Sequence, residues 1–207
     1  WLQEDFCRKF SCSFRGIRME LMEYGLNNLI NTPLWNLIQQ KLNSANLEWQ
    51  DALIGDHKRV SKFRKSKVSF LDDEYLRSQL AYSVNLYNKQ HWNYDLNGTD
   101  EIQYGIYSDG GYYDWHVDHE KKTPNINGKF LARKLSTTIW LNDPDEYEGG
   151  EFDIEIHSPL KNPRYDTLKL PKGSIIIFRS DRWHRVRPVT SGVRKSLVTW
   201  FRGPPFR

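Results

Sequence analysis

Three side chains of this sequence have the types and spacing to hold one metal ion: His116, Asp118 and His184. His116-Val117-Asp118 is an H-x-D triplet, and the two-residue period of a strand would turn its imidazole and carboxylate to the same face. Two ligands do not complete a site. The best third is His184, which follows the apolar run Gly173-Ser174-Ile175-Ile176-Ile177-Phe178 after a short polar turn. Two neutral imidazoles and one carboxylate on one side of a metal, with the opposite positions open, form the facial set of non-haem Fe(II) oxygen chemistry. His57, His91, His119 and His157 have no partner at ligand spacing. Strand alternation turns His119 away from Asp118, which leaves it as an outer neighbour of the site or a surface residue.

Arg194 lies ten residues beyond His184, past the turn Thr190-Ser191-Gly192. If His184, Val186 and Pro188 point inward on one strand, then Arg194, Ser196, Val198 and Trp200 do the same on the returning one. An interior guanidinium is costly unless it meets an anion, and no carboxylate of the expected interior is assigned to it. A ligand can supply that anion. In 2-oxoglutarate one carboxylate and the keto oxygen chelate iron, and the distal carboxylate needs a cation. Arg194 suits that role, with Ser196 as a hydroxyl donor to the same group. The competing reading makes Arg194 a surface hairpin residue.

The elements that must position these groups change in character along the chain. Thr32-Pro33, followed by Leu34, Trp35, Leu37, Ile38 and Leu42, predicts an N-capped amphipathic helix to about Ala45. Asp72 to about Lys89 predicts a second helix, with Leu76, Leu80, Val84 and Tyr87 on one face. After residue 100 come eight short runs that read as strands: Glu101 to Tyr107, Gly111 to Val117, Leu135 to Leu141, Glu151 to Ile156, Thr167 to Leu170, Ser174 to Phe178, His184 to Val189 and Arg194 to Phe201. Helices first and strands afterwards predict a mainly β fold, a jelly roll buttressed by helices.

A chain of 207 residues suits one domain. The aromatic content of 14% against only 38% hydrophobic residues favours a sheet-built core. A net charge of +4 does not by itself call for nucleic acid. Six cations between His57 and Lys67 (Lys58, Arg59, Lys62, Arg64, Lys65 and Lys67) read first as a solvated loop and second as a surface for an anionic partner. Cys7 and Cys12 are a poor zinc or disulfide signal and read as reduced thiols. Residues 1–18 carry no clean periodicity, and Met19 could be a natural start. No run approaches a membrane span or a signal-peptide core, so a cytoplasmic protein is expected.

The motifs together resemble a known family. Tyr107-x-x-Gly110-x-x-Tyr113-x-x-His116-x-Asp118 is followed by Arg133-Lys134-Leu135-Ser136, by Leu141-Asn142-Asp143-Pro144 and by Tyr147-Glu148-Gly149-Gly150-Glu151. Pro171-x-Gly173 and His184-Arg185-Val186-x-Pro188-Val189-Thr190-x-Gly192-x-Arg194 complete the series. In this order they resemble the Fe(II)/2-oxoglutarate dioxygenases of the prolyl 4-hydroxylase group, the PKHD type above all. The resemblance covers about residues 100–203 and implies a double-stranded β-helix of cupin-like topology. It implies iron on His116, Asp118 and His184, and 2-oxoglutarate on Arg194 and Tyr107. The division expected is a single domain over 1–207, with a helical, variable part over about 1–99 and the β-helix core over about 100–203. Gly149 and Gly150 are read as permitting a turn and close strand approach, and Tyr113 and Trp115 as core or pocket wall. Arg133 and the segment from Glu120 to Lys129 stand where a flap beside the iron is expected.

The implied reagents are Fe(II), 2-oxoglutarate and O2, with ascorbate in support, and the implied reaction hydroxylates an unactivated C–H. Asp118 favours hydroxylation, because halogenating relatives replace this carboxylate with a small residue. A prolyl residue in a peptide or protein, with acidic neighbours, is the expected substrate. A free amino acid or other small molecule is the alternative. Oxidative demethylation of nucleic acid is disfavoured, because that group resembles a pattern with a second Arg six residues after the first, where this chain has Trp200. A non-catalytic cupin-like binding module is least favoured.

Overall fold

The computed structural model describes residues 23–52, 62–119, 123–124, 130–157 and 161–205. Residues 1–18 with both cysteines, Met19, the cations Lys58 and Arg59, His57 and most of the expected flap lie outside these ranges.

Two helices begin where the sequence supplies caps. Thr32 Oγ1 accepts from the Trp35 amide at 3.1 Å and Pro33 opens the first turn of Pro33–Ser44. Asp73 accepts from the Leu76 amide at 2.7 Å and starts Glu74–His91. Both caps satisfy amides that no helical carbonyl can reach. Lys41 pairs with Asp73 at 2.6 Å and ties the first helix to the start of the second. The fully buried residues of the second helix are Leu76, Leu80, Val84 and Asn88, and Tyr87 is half-buried and packs against the same core. Asn88 continues the four-residue series because its amide is fully used: it receives from the Tyr94 amide at 2.9 Å and donates to the Tyr94 carbonyl at 2.8 Å.

The strands form two large antiparallel sheets and a two-stranded ribbon, Tyr147–Gly149 with Val189–Gly192. Along the main sheet run Tyr24–Asn28, Ser174–Arg179, Phe130–Trp140, Arg194–Gly203, Ile102–Tyr107, Lys67–Leu71 and Gln50–Asp51. Along the second run Tyr165–Leu168, Phe152–Glu155, His184–Val186, Tyr112–His116 and Arg64–Lys65. This is a jelly roll with two helices on its outside. Alternation sorts one apolar run into two cores. Ile175 and Ile177 face the helices with Trp35, Ile38, Leu76 and Leu80, whereas Ile176 and Phe178 face the second sheet with Phe152, Ile154 and Val186. A strand covered on both faces needs a continuous apolar run, which is what residues 175–178 are. Each such side chain contributes ~1.5–3 kcal/mol on burial.

The part before residue 100 supplies strands as well as helices. Tyr24–Asn28 and Lys67–Leu71 extend the main sheet, and Arg64–Lys65 extends the second. These short, polar stretches have too little periodicity to read as strands alone and take their conformation from the ladder they join. The run from His184 to Val189 is not one strand. It divides into His184–Val186 and Val189–Gly192, so Pro188 is exposed instead of pointing inward and Val189 takes the buried place. Proline has no amide for the ladder, and the break falls there. No helix among the described residues is long and apolar enough to cross a membrane.

Candidate active site

Strand register brings the two histidines together. His184 stands directly opposite His116 in the antiparallel pair, and a register shift before Val186 follows. The strand Tyr112–His116 ends at His116, so Asp118 comes from the turn beyond it and not from the continued pleat. Even so, the three ligand atoms lie within 4.8 Å of one another. The Asp118 oxygens are 3.7 Å from His116 Nε2 and 3.5 Å from His184 Nε2.

Each imidazole is oriented by the backbone two residues earlier. His116 Nδ1 lies 2.8 Å from the Asp114 carbonyl, and His184 Nδ1 lies 2.9 Å from that of Arg182. A nitrogen facing a carbonyl carries the proton, so both Nε2 lone pairs are left for a metal. Packing holds the rings in place. Tyr113 stacks on His116 at 3.5 Å between centroids, and Phe178 meets His184 edge-on at 4.7 Å. Burial, and then the neighbouring His184, pushes the His116 pKa down to about 3. Burial alone would raise the Asp118 carboxyl, but His184, His116, Arg133 and the Ser136 hydroxyl outweigh it and hold the group below its ordinary value. Two imidazole nitrogens beside an ionised carboxylate make a donor set fit for a divalent first-row metal.

Across a cleft of about 270 Å³, Arg194 projects from the main sheet. It is 1% exposed, and its cross-strand neighbour is Tyr107. Nη1 donates to Ser196 Oγ at 3.1 Å, while Nε and Nη2 have no hydrogen-bond partner. The Tyr107 and Trp140 rings flank the guanidinium at 5.5 Å each. Burial lowers its pKa, opposed by Tyr107 and Tyr147, and a guanidinium stays charged regardless. Gly150, at φ 65°, lets the chain pass close by, since a Cβ there would stand 3.0 Å from Arg194 Cδ. A buried cation with two unsatisfied nitrogens fits a carboxylate-bearing ligand such as 2-oxoglutarate.

The cleft therefore gathers His116, Asp118, His184, Arg194, Ser196 and Tyr107. Arg133 is also at its wall, stacked 4.0 Å over the Trp200 ring and bound to Asp100 at 2.8 Å. His119 is exposed, with its amide on the Ser180 carbonyl. Sequence reasoning missed Gln103 and Thr138, which line the cleft, and it assigned Arg64 to a solvated loop although the residue is buried at the cleft wall. It also missed Trp140 and Tyr147, whose Nε1 and hydroxyl are buried without a partner. Inward alternation from Tyr107 could have flagged Gln103, but Thr138 reaches the cleft through its pairing with Val198 on another strand, and nothing local marked it or Arg64.

Fold and site together define a jelly roll with a facial His, Asp, His set. Residues 102–202 match the 2OG-Fe(II) oxygenase superfamily. The PKHD-type hydroxylase of Stenotrophomonas maltophilia strain R551-3 is 39% identical over 104 residues, covering 47% of this chain and 41% of that protein. The PKHD-type hydroxylase of Pseudomonas fluorescens is 33% identical over 94 residues, covering 45% and 39%. The chain thus spans about two fifths of the length of these curated relatives. A prolyl-4-hydroxylase of Pseudomonas putida shares the fold at TM-score 0.61 and 17% identity, over 88% of this chain and 94% of that one. A Trichoplax adhaerens prolyl hydroxylase, in complex with a hypoxia inducible factor oxygen degradation domain peptide fragment, does so at 0.64 and 18%, over 86% and 83%. Over residues 102–202 the chain is similar to 2OG-Fe(II) oxygenases, and the curated proteins similar to that stretch are PKHD-type hydroxylases.

Proposed function

We propose that this chain hydroxylates an unactivated C–H of a prolyl residue in a peptide or protein, with Fe(II), 2-oxoglutarate and O2. The observation that carries the reading is the pairing of a facial His116, Asp118 and His184 set with the unpartnered Arg194 guanidinium across one cleft. When bound, the metal and cosubstrate supply oxygen activation coupled to loss of CO2. His116, Asp118 and His184 would hold the metal through Nε2 and carboxylate oxygens. Arg194, whose Nε and Nη2 have no partner, would bind the distal carboxylate of 2-oxoglutarate, with Ser196 and Tyr107 lining the same part of the cleft. Phe152, Tyr113 and Trp200 wall the cleft and exclude water from the reacting carbon.

The prolyl substrate is supported by the likeness to prolyl hydroxylases and by aromatic walls suited to a pyrrolidine ring. Fe(II) and 2-oxoglutarate without oxygen should give the weak visible charge-transfer absorption of a chelated keto acid. With oxygen and proline-containing peptides, mass spectrometry should find a product carrying one added oxygen atom. Oxygen-dependent succinate formation without any peptide product, together with turnover of free amino acids, would replace the peptide reading with a small-molecule hydroxylase.

A further inference from the structure

Among the described residues, most buried and half-buried arginines have a carboxylate. Arg133 and Arg202 share Asp100, Arg179 has Asp181, Arg182 has Glu23, and Arg185 and Arg187 share Asp153. Among the buried and half-buried arginines described, two lack one: Arg194 and Arg64. Arg64 is only 8% exposed, and its one hydrogen bond is from Nε to Ser66 Oγ at 2.9 Å. It lines the same cleft as the His, Asp, His set, but from the second sheet, where its strand pairs with Tyr112–His116 and Arg64 stands opposite Tyr113.

The guanidinium carbon lies 4.6 Å over the Tyr113 ring, whose other side stacks on His116. Stacking on Tyr113 offsets part of the cost of burying the cation, and no carboxylate among the described residues meets it. The cosubstrate cannot supply one. One carboxylate of 2-oxoglutarate is committed to the metal and the other to Arg194 on the main sheet, so neither remains for a cation on the second. Arg64 lines the cleft into which the His, Asp, His set opens, so a molecule oxidised there comes within its reach.

We infer that Arg64 is a specificity residue that binds a carboxylate of the substrate itself, close to the carbon that is hydroxylated. The inference rests on the oxygenase reading of the cleft. Arg64 is two stacked side chains from the metal face, a reach that about two residues of extended chain, ~7 Å, would span. An Asp or Glu side chain one or two residues from the reacting residue meets this requirement, and so does the α-carboxylate of a free amino acid. Lys62 and Lys65 nearby add steering, but the selecting contact is the buried one.

The test uses the chain loaded with Fe(II) and 2-oxoglutarate under nitrogen, titrated calorimetrically. The probes are N-acetylated, C-amidated proline pentapeptides carrying Asp or Glu, their Asn or Gln counterparts, and free proline against prolinamide. The acid of at least one pair should bind about tenfold or more tighter than its amide, the scale of a charge-assisted hydrogen bond. The peptide and proline arms then tell which source supplies the carboxylate. Arg64→Gln should bring that ratio close to one, and Arg64→Lys should keep part of it. Equal binding of acid and amide by the wild-type chain overturns the inference without any variant. A preference that survives Arg64→Gln also overturns it, as does loss of 2-oxoglutarate affinity in place of the preference. Failure of the oxygenase reading is seen separately, as absence of oxygen-dependent succinate formation by the wild-type chain.

Discussion

Asp153 and Arg194 are both buried charges on sheet strands, and their surroundings are opposite. Asp153 lies on the outer face of the second sheet with no exposed surface, directly opposite Thr167 on one neighbouring strand and Arg185 on the other. Thr167 donates to it at 2.7 Å, Arg185 at 2.6 Å and Arg187 at 2.9 Å. Arg194, in the cleft between the sheets, has one serine hydroxyl and two nitrogens with nothing to bond. A charge that has found all its partners within the chain acts as structure. A charge held in place but left short of partners costs stability, and a ligand can recover that cost.

The contrast can be broken from either side, beginning where the effect is largest. His184→Ala or Asp118→Ala leaves two ligands on an open face, and the anaerobic charge-transfer absorption should vanish in both. Full retention of iron affinity in both variants would remove the assignment. Asp153→Ala strands two guanidinium groups over a buried space and should cost ~3–5 kcal/mol in denaturant unfolding, while 2-oxoglutarate affinity stays as it was. Arg194→Ala should do the reverse. It should weaken 2-oxoglutarate binding by ~1.5–3 kcal/mol with the metal still bound. The ligand-free protein should be no less stable, because an unpaired buried cation is gone. Arg194→Lys should lose less affinity, since a point charge survives although the fork does not. If Arg194→Ala unfolds the chain as Asp153→Ala does, the distinction between the two charges fails.

The smallest effect is a pH dependence of the metal-free protein. The His116 imidazole takes up a proton at about 3 in the folded chain, against 6.5 ordinarily. Because the folded value is the lower one, its contribution to stability is complete above 6.5 and is lost as pH falls from there toward about 3. The slope should approach ~1.4 kcal/mol per pH unit from this group. His116→Gln should flatten that limb when unfolding is measured between those limits. An unchanged slope would mean that the imidazole is not held neutral by its surroundings.

Much of the site was legible because it is written in short-range spacing. Thr32-Pro33 announces a helix start through a bond to the amide three residues on, and it is made, whereas the second helix, expected from Asp72, is capped by Asp73 and begins at Glu74. H-x-D puts two ligands side by side whether or not the strand continues to Asp118. The strand from Arg194 alternates, so Ser196, Val198 and Trp200 share its inward face, and all four line the cleft. Proline at 188 marked a break that the strand reading overlooked.

What the chain order could not disclose is which strand lies beside which. Register put His184 opposite His116, Arg194 opposite Tyr107 and Arg64 opposite Tyr113, pairings selected by the packing of whole faces and not by any neighbour in sequence. By itself the sequence determined the ligand types, the interior cation and the helix boundaries, because caps and strand alternation act over four residues or fewer. Only the tertiary structure decided that Asp153 is satisfied, that Arg194 is not, and that a cation from a basic stretch is buried against Tyr113, the stacking partner of His116. Those outcomes depend on which atoms meet after the sheets close, and the desolvation that gives them their energy does not exist until then.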